Sequence, residues 1–128
     1  MPALAAAKTV HLKATLTPVH GVASGPHGTL KGRYDTTTQV FHWTVTFRHL
    51  TAQAIAVRCL RRGEGDGASA VVLHLTATPP HPLPYAPVTG KAALLASQAK
   101  QLIGGHWRVV VSTVRHRHGE IAGPVHKG

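Results

Sequence analysis

Histidine, cysteine and carboxylate side chains are the residues most able to bind a metal or to act in catalysis. This sequence holds 11 histidines against one cysteine and 4 acidic residues. His116 and His118 stand two positions apart, which in a strand would place both imidazoles on one face as ligands for a copper-type ion. The cation of Arg117 between them disfavours a bound metal. The pair is therefore either a metal site or an exposed turn.

Cys59 is the other group with reactive potential. A lone cysteine excludes an internal disulfide and a multi-cysteine metal site. Neighbouring cations such as Arg58 lower the pKa of a thiol and make it nucleophilic, whereas burial makes it inert. A designed enzyme using Cys59, or Arg58 with Arg108, is thus one hypothesis. The sequence contains no Ser-His-Asp order, phosphate-binding loop or nucleotide fingerprint, so it favours a non-catalytic protein without a cofactor.

Strands must position most of these residues. Apolar and polar residues alternate in the manner of half-buried strands, most clearly where Phe41, Trp43 and Val45 share one face and form the centre of the core. About eight such segments joined by turns predict an all-β antiparallel sandwich or barrel. The predicted strands are Val10–Leu16, Thr29–Tyr34, Phe41–Phe47, Ala54–Leu60, Ala70–Ala77, Val88–Leu94, Trp107–Val114 and Gly119–Val125.

One short helix is predicted near residues 97–103. Ser97 is expected to cap its start, because a serine hydroxyl accepts a hydrogen bond from a free backbone amide. Gly104 and Gly105 are expected to end it, because glycine tolerates the backbone conformation that follows a helix.

Length and hydropathy predict a single domain. The 128 residues are enough for one core, placed at residues 9–126, and residues 1–8 are interpreted as the disordered remnant of an export signal. No apolar run approaches the roughly 18–20 residues that span a bilayer. We therefore expect a soluble protein, without a membrane span, whose parent is periplasmic or secreted.

The charge of the chain suggests acidic partners. There are 14 basic and 4 acidic residues, a formal net charge of +10. The cations are scattered along the sequence, and no aromatic residues alternate with them as a base-stacking platform requires. This pattern argues against nucleic-acid binding and favours a cationic surface that keeps the protein in solution.

The order of motifs along the chain resembles the CHRD domain, the β-module named after chordin. The resemblance covers roughly Val10 to Val125. It rests on the Phe41-x-Trp43-x-Val45 strand, the Leu50-Thr51-Ala52 turn, the Ser97-to-Leu102 turn with its Gly-Gly, and Gly119-Glu120-Ile121. It implies an immunoglobulin-like Greek-key domain of an exported bacterial protein, and some such proteins are suspected of binding metal. Glu120, within the matched closing motif, is expected to pair with Arg108 or Arg115.

The departures from the family pattern define a candidate face. Where the family usually carries a His-x-His pair, this chain has Ala54-Ile55-Ala56. Where it has an aromatic residue, an asparagine and a histidine at alternate positions, this chain has Arg108, Val110 and Ser112. Alanine, valine and serine cannot replace imidazole ligands, so the family's metal-like site is expected to be absent. The residues expected to line the altered face together are Ala54, Ala56, Arg58, Arg108, Val110, Ser112 and Ala122.

Several functions are compatible with such a face. The favoured hypothesis is a non-catalytic binding scaffold, with the family's site removed by engineering. Its partner would be a small anionic or aromatic ligand in a pocket, or a second copy of the chain on a flat patch. A natural homologue that lost its function is the plainer interpretation. An exported copper-type protein that uses surface histidines is the alternative from a different class.

Overall fold

The structure, a computed structural model, describes residues 8–19, 24–62, 71–76 and 84–128. Residues 1–7 of the predicted N-terminal remnant and both end residues of the predicted strand Ala70–Ala77 lie outside these ranges. The elements are β1 (Thr9–Pro18), β2 (His27–Asp35), β3 (Val40–Arg48), β4 (Ala54–Arg61), β5 (Val71–His74), β6 (Val88–Ala93), α1 (Ala96–Ile103), β7 (Trp107–Thr113), β8 (Ile121–Pro124) and β9 (His126–Lys127).

The strands form one curled antiparallel sheet, a half-barrel. In the described ranges nine strands are joined in the order β5-β4-β7-β8-β1-β2-β3-β6, with β9 also paired to β1. Strand β1 links the two halves, because its body pairs with β2 while Thr17 and Pro18 at its end pair with β8. The prediction of an all-β antiparallel fold of about eight strands with one short helix is confirmed. The likeness to immunoglobulin domains stays a prediction.

The core fills the concave side of the curled sheet. Phe41, Trp43 and Val45 of β3 are 0–6% exposed, as their shared face predicted. Glycine makes room for the large rings, since a Cβ on Gly90 of β6 would lie 2.6 Å from Cζ2 of Trp43. The other buried side chains of this cluster include Leu12, Ala14, Leu16, Leu30, Val57, Cys59, Trp107, Val109, Val111 and Ile121.

The helix begins earlier than predicted. Leu95, not Ser97, stands at the N-cap, so the prediction that Ser97 caps the helix is wrong. The Leu95 amide instead donates to Oε1 of Gln98 at 2.9 Å, which satisfies one of the backbone groups that a helix start leaves free. The end is as predicted: Gly104 is the C-cap and Gly105 follows with φ of 80°. None of the helices in the described residues is long and apolar enough to cross a membrane.

Candidate functional site

Six of the seven predicted face residues lie together on the outer side of β4, β7 and β8. Ala56 is opposite Ser112, and Val110 is opposite both Arg58 and Ala122. Directly opposed residues project to the same face of a sheet, and residues two apart share that face. Arg108, two positions before Val110, therefore belongs to it too. We call these six residues the small-residue face.

Ala54 does not belong to this face. The register of β4 against β7 shifts between Ala54 and Ala56, so Ala54 is opposite Thr113 while Ala56 is opposite Ser112. One extra residue in the strand reverses the direction of the side chain. Ala54 is 3% exposed and packs in the main core. The prediction that it aligns with Ala56 and Arg58 is wrong.

The centre of the small-residue face is closed to solvent. Val110 is 1% exposed and Leu60, beside Arg108, is 0% exposed; the two form a second, smaller apolar cluster. Gly119 in the turn after β7 packs on this cluster, since a Cβ there would lie 2.7 Å from Cγ1 of Val110. Because Val109 and Val111 face the main core, the apolar run of β7 is buried on both sides of the sheet.

The side chain of Arg58 is hydrogen-bonded to another residue of the small-residue face. Its Nη2 donates to Oγ of Ser112 at 2.9 Å, and Ser112 is 1% exposed. Its Nε is buried and has no hydrogen-bond partner among the described residues. The small-residue face thus carries an arginine whose side chain is hydrogen-bonded to a serine of the neighbouring strand.

Glu120 is a buried carboxylate held by hydroxyl and amide donors. The backbone amide of Thr51 donates to its Oε2 at 2.6 Å, and the hydroxyls of Thr51 and Thr113 donate to its Oε1. The residue is 0% exposed. The expected pairing with Arg108 or Arg115 is wrong. Glu120 instead ties the connection between β3 and β4 to the end of β7, a structural role.

The candidate nucleophile Cys59 and the candidate metal ligands His116 and His118 do not form a common site. Cys59 is 0% exposed, and burial raises the pKa of its thiol to about 12, so the proposed nucleophile stays protonated and covered. His116 and His118 lie in the turn between β7 and β8, where the backbone amide of His116 donates a hydrogen bond to Oγ1 of Thr113 at 3.0 Å. Among the described residues no group of three or more His, Cys, Asp or Glu side chains is placed to hold a metal.

A larger charged surface lies on the convex side of β1, β2, β3 and β6. One row across these strands consists of His11, Arg33, His42 and Lys91, each opposite the next. A second row starts with Lys13 opposite Lys31 and continues through Thr44 to Thr89. We call His11, Lys13, Lys31, Arg33, His42 and Lys91 the cationic face. With strands about 4.8 Å apart, each row spans about 14 Å, and the rows are about 6.8 Å apart.

The cationic face is open and unneutralised within the described ranges. No ion pair joins its side chains to another described residue. An open depression of about 400 Å³ is lined by Lys31, Arg33, His11 and His42 together with Thr44 and Thr89, and by Gly32, Trp43 and Gly90. Asp35, at the end of β2, uses its Oδ1 to accept the amides of Thr37 and Thr38 at 2.8 and 3.1 Å.

Aromatic rings belong to the opposite side of these strands. Tyr34, Phe41 and Trp43 are 4%, 0% and 6% exposed and pack in the core. The convex side carries threonines between its cations instead, such as Thr29 and Thr46, whose hydroxyls are 2.8 Å apart. The surface therefore combines positive charge with hydroxyl groups.

The cations of this surface are scattered along the sequence, so the sequence alone does not predict the surface. The signal was partly present: His11 and Lys13 alternate with buried leucine and alanine, and Lys31 and Arg33 alternate in the same way in the next strand. What the sequence lacks is the register that sets Lys13 opposite Lys31 and Arg33 opposite His42.

Comparison with known proteins identifies the family. Searches of curated proteins and of solved structures returned no match to this chain. The family model of the CHRD domain matches residues 10–125, nearly the whole length. The matched region runs from β1 to the end of β8 and includes the strand of Phe41 and Trp43, the buried Glu120 and the close-packed Gly119. The chain therefore belongs to the CHRD domain family.

Proposed function

We propose that this CHRD domain is a non-catalytic binding domain that holds an acidic polysaccharide on its cationic face. The observation that carries the proposal is the register across β1, β2, β3 and β6, which gathers six basic or imidazole side chains on one open surface. Such a surface attracts a polymer with repeated carboxylate or sulfate groups, because each neutralised charge releases bound counterions.

The placement of like charges supports a binding role. Lys13 and Lys31 are directly opposite each other, an arrangement that costs stability in a free sheet. In the neighbouring row Arg33 has His11 opposite it on one side and His42 on the other, so no acidic side chain lies directly opposite Arg33. A bound polyanion would offset the repulsion between these cations with attraction to its own negative charges. The grouping is therefore unfavourable in the free protein and favourable in the complex.

The state of the reactive groups supports a role without catalysis. Cys59 is fully buried with a raised thiol pKa, and the oxygens of Glu120 already accept hydrogen bonds from Thr51 and Thr113. Neither group reaches the cationic face. A nucleophile and a general base both need access to substrate, which these two lack.

Chemistry favours a polysaccharide over a nucleic acid. Single-stranded nucleic acids bind through bases stacked on aromatic rings, and the described aromatic residues of β2 and β3 point into the core. The convex side offers hydroxyls of Thr44 and Thr89 beside Lys31 and Arg33. Hydroxyls and cations together suit a polymer that carries both hydroxyl and acidic groups.

Charge-neutralising variants test the proposal against a matched control. Lys13→Gln, Lys31→Gln and Arg33→Gln together remove three charges from the cationic face, and Lys100→Gln, Arg115→Gln and Arg117→Gln remove three from α1 and the β7–β8 turn. Heparin is the probe, and a 20-nucleotide single-stranded DNA is the comparison. We expect the first variant to lose about tenfold or more in heparin affinity and to flatten its salt dependence, while the control changes little. Equal losses in both variants would contradict the proposal, as would tighter binding of the single-stranded DNA than of heparin.

A second candidate is a small anion at Arg58. Nε of Arg58 has no partner among the described residues, and Nη2 is already directed at Ser112. Arginine binds carboxylates through two parallel hydrogen bonds, so a small carboxylate that displaces Ser112 would use both groups. Acetate titration followed by the side-chain NMR signal of Arg58 tests this, with no shift as the contradicting result. The engineered origin, self-association and the periplasmic or secreted location remain predictions.

A further inference from the structure

Two histidine rings meet at one end of the sheet, away from the cationic face rows. His27 is the first residue of β2, and His49 follows the last residue of β3. Their ring centroids are 5.5 Å apart and their planes are inclined at 45°. The sequence alone does not predict this contact, because the two residues are 22 positions apart in the chain.

The hydrogen bond of His27 leaves one ring nitrogen available. Nδ1 of His27 lies 2.9 Å from the carbonyl oxygen of Gly25. A carbonyl only accepts, so Nδ1 is the donor in this hydrogen bond, and in the neutral ring Nε2 then carries the lone pair. Histidines that bind metals commonly donate their second nitrogen to a backbone carbonyl in this way, which fixes the tautomer and the ring orientation.

The backbone of His49 brings its ring to the same side. His27 is opposite Arg48 in the ladder between β2 and β3. If strand alternation continued through residue 49, its side chain would project away from both. Instead His49 has φ of 60°, a left-handed conformation that is uncommon outside glycine and often marks functional sites. The alternation ends there, and the His49 ring lies beside His27.

The spacing of the rings fits a shared metal ion. A metal about 2.1 Å from an imidazole nitrogen lies about 3.2 Å from that ring's centroid. Two centroids 5.5 Å apart then subtend about 120° at the ion, close to the angles of tetrahedral and trigonal coordination. We propose that His27 and His49 form a binding site for a copper or zinc ion, with water or a small anion completing the coordination.

The positive charge of Arg48 beside the proposed site weakens the expected affinity for a metal ion. Arg48 is exposed and opposite His27, so its cation opposes a divalent ion through direct repulsion. Two neutral nitrogens without a carboxylate also give fewer ligands than a structural zinc site has. The site is therefore expected to bind reversibly, and Cu²⁺ more tightly than Zn²⁺, as imidazole ligands generally do.

The test uses the full metal-free chain titrated with Cu²⁺ and with Zn²⁺ by calorimetry, with electron paramagnetic resonance of the Cu²⁺ form to report bound nitrogen. His27→Ala and His49→Asn are the site variants, since asparagine tolerates the left-handed backbone of position 49. His116→Ala and His118→Ala are the controls. We expect each site variant to lose about tenfold or more in Cu²⁺ affinity and to lose nitrogen signal, and each control to stay within about twofold.

A gain of affinity provides the independent check. Arg48→Gln removes the opposing cation without touching a ligand, so we expect it to tighten Cu²⁺ binding several-fold, an effect that a purely structural role for the histidines would not produce. Unchanged affinity in both site variants, or loss of binding in the His116 and His118 variants instead, would overturn the proposal. Heparin binding of His27→Ala is expected to stay normal, which separates this site from the cationic face.

Discussion

Lys13 of β1 and Lys31 of β2 lie directly opposite each other on the convex side of the sheet. Opposed like charges in an antiparallel pair reduce stability, and no described residue neutralises either ammonium group by an ion pair. The pair thus lowers the stability of the sheet locally, and it forms one end of the second row of the cationic face.

Replacing one of these lysines by an acid should stabilise the free protein. Lys31→Glu turns a repulsive pair into an attractive one, for an expected gain of about 0.5–1 kcal/mol in the free energy of unfolding. Urea denaturation at low and at high salt measures it, and the gain should shrink as salt screens the charges. Lys100→Glu on α1 is the control for net charge. A loss of stability in Lys31→Glu, or an equal gain in the control, would contradict the account of this pair.

Glu120 should be the carboxylate on which the fold depends. In Glu120→Gln the amide nitrogen cannot accept from Thr51 or Thr113, so one buried donor loses its partner at a cost of about 2 kcal/mol. Asp35→Asn makes the same change in a turn where the side chain is less buried, and we expect less than about 1 kcal/mol there. Chemical denaturation of both variants measures the difference. Equal losses of unfolding free energy in the two variants would contradict the expectation that the buried carboxylate of Glu120 stabilises the fold more than that of Asp35.

The arginine on the small-residue face should be dispensable for stability, although its partner is not. Ser112→Ala removes the acceptor of Nη2 and should cost about 1 kcal/mol. Arg58→Met keeps an apolar chain over Val110 and removes a partly buried charge whose Nε is unpartnered, so it should be neutral or stabilising. Thermal unfolding distinguishes the two. A large loss in Arg58→Met would mean that the charge itself stabilises the face.

Stability should fall at alkaline pH because of Cys59. The folded-state pKa of about 12 lies above the ordinary value of 9.0, so the contribution of the protonated thiol is complete below pH 9 and is lost as pH rises toward 12. The loss is about 1.4 kcal/mol per pH unit in that window. Cys59→Ala should lack this slope when unfolding is compared at pH 8 and pH 10. Rapid labelling of Cys59 in the folded protein at neutral pH would contradict its burial.

The local pattern of residues was enough to predict most elements of the fold. Alternation located β1, β2 and β3, and the Gly104-Gly105 pair ended α1 where expected. These features depend on a few neighbouring residues. The start of α1 was mispredicted because Gln98 reaches back to the Leu95 amide, a contact that competes with a serine cap.

The candidate sites depended on register, which the sequence does not contain. Ala56 is opposite Ser112 on the small-residue face, whereas one bulge places Ala54 on the other side of the sheet. The pairing of Lys13 with Lys31 and the meeting of His27 with His49 come from contacts between strands. Periodicity gives the face of each strand separately but not which residues on adjacent strands are opposite.

The most direct test of the cationic face is an NMR titration of the labelled protein with a sulfated heparin oligosaccharide. The account predicts that amide shifts concentrate at Lys13, Lys31 and Arg33 and their neighbours on β3 and β6, and that added salt reverses them. Shifts confined to α1 or to the β7–β8 turn, or an unchanged spectrum at low salt, would contradict it.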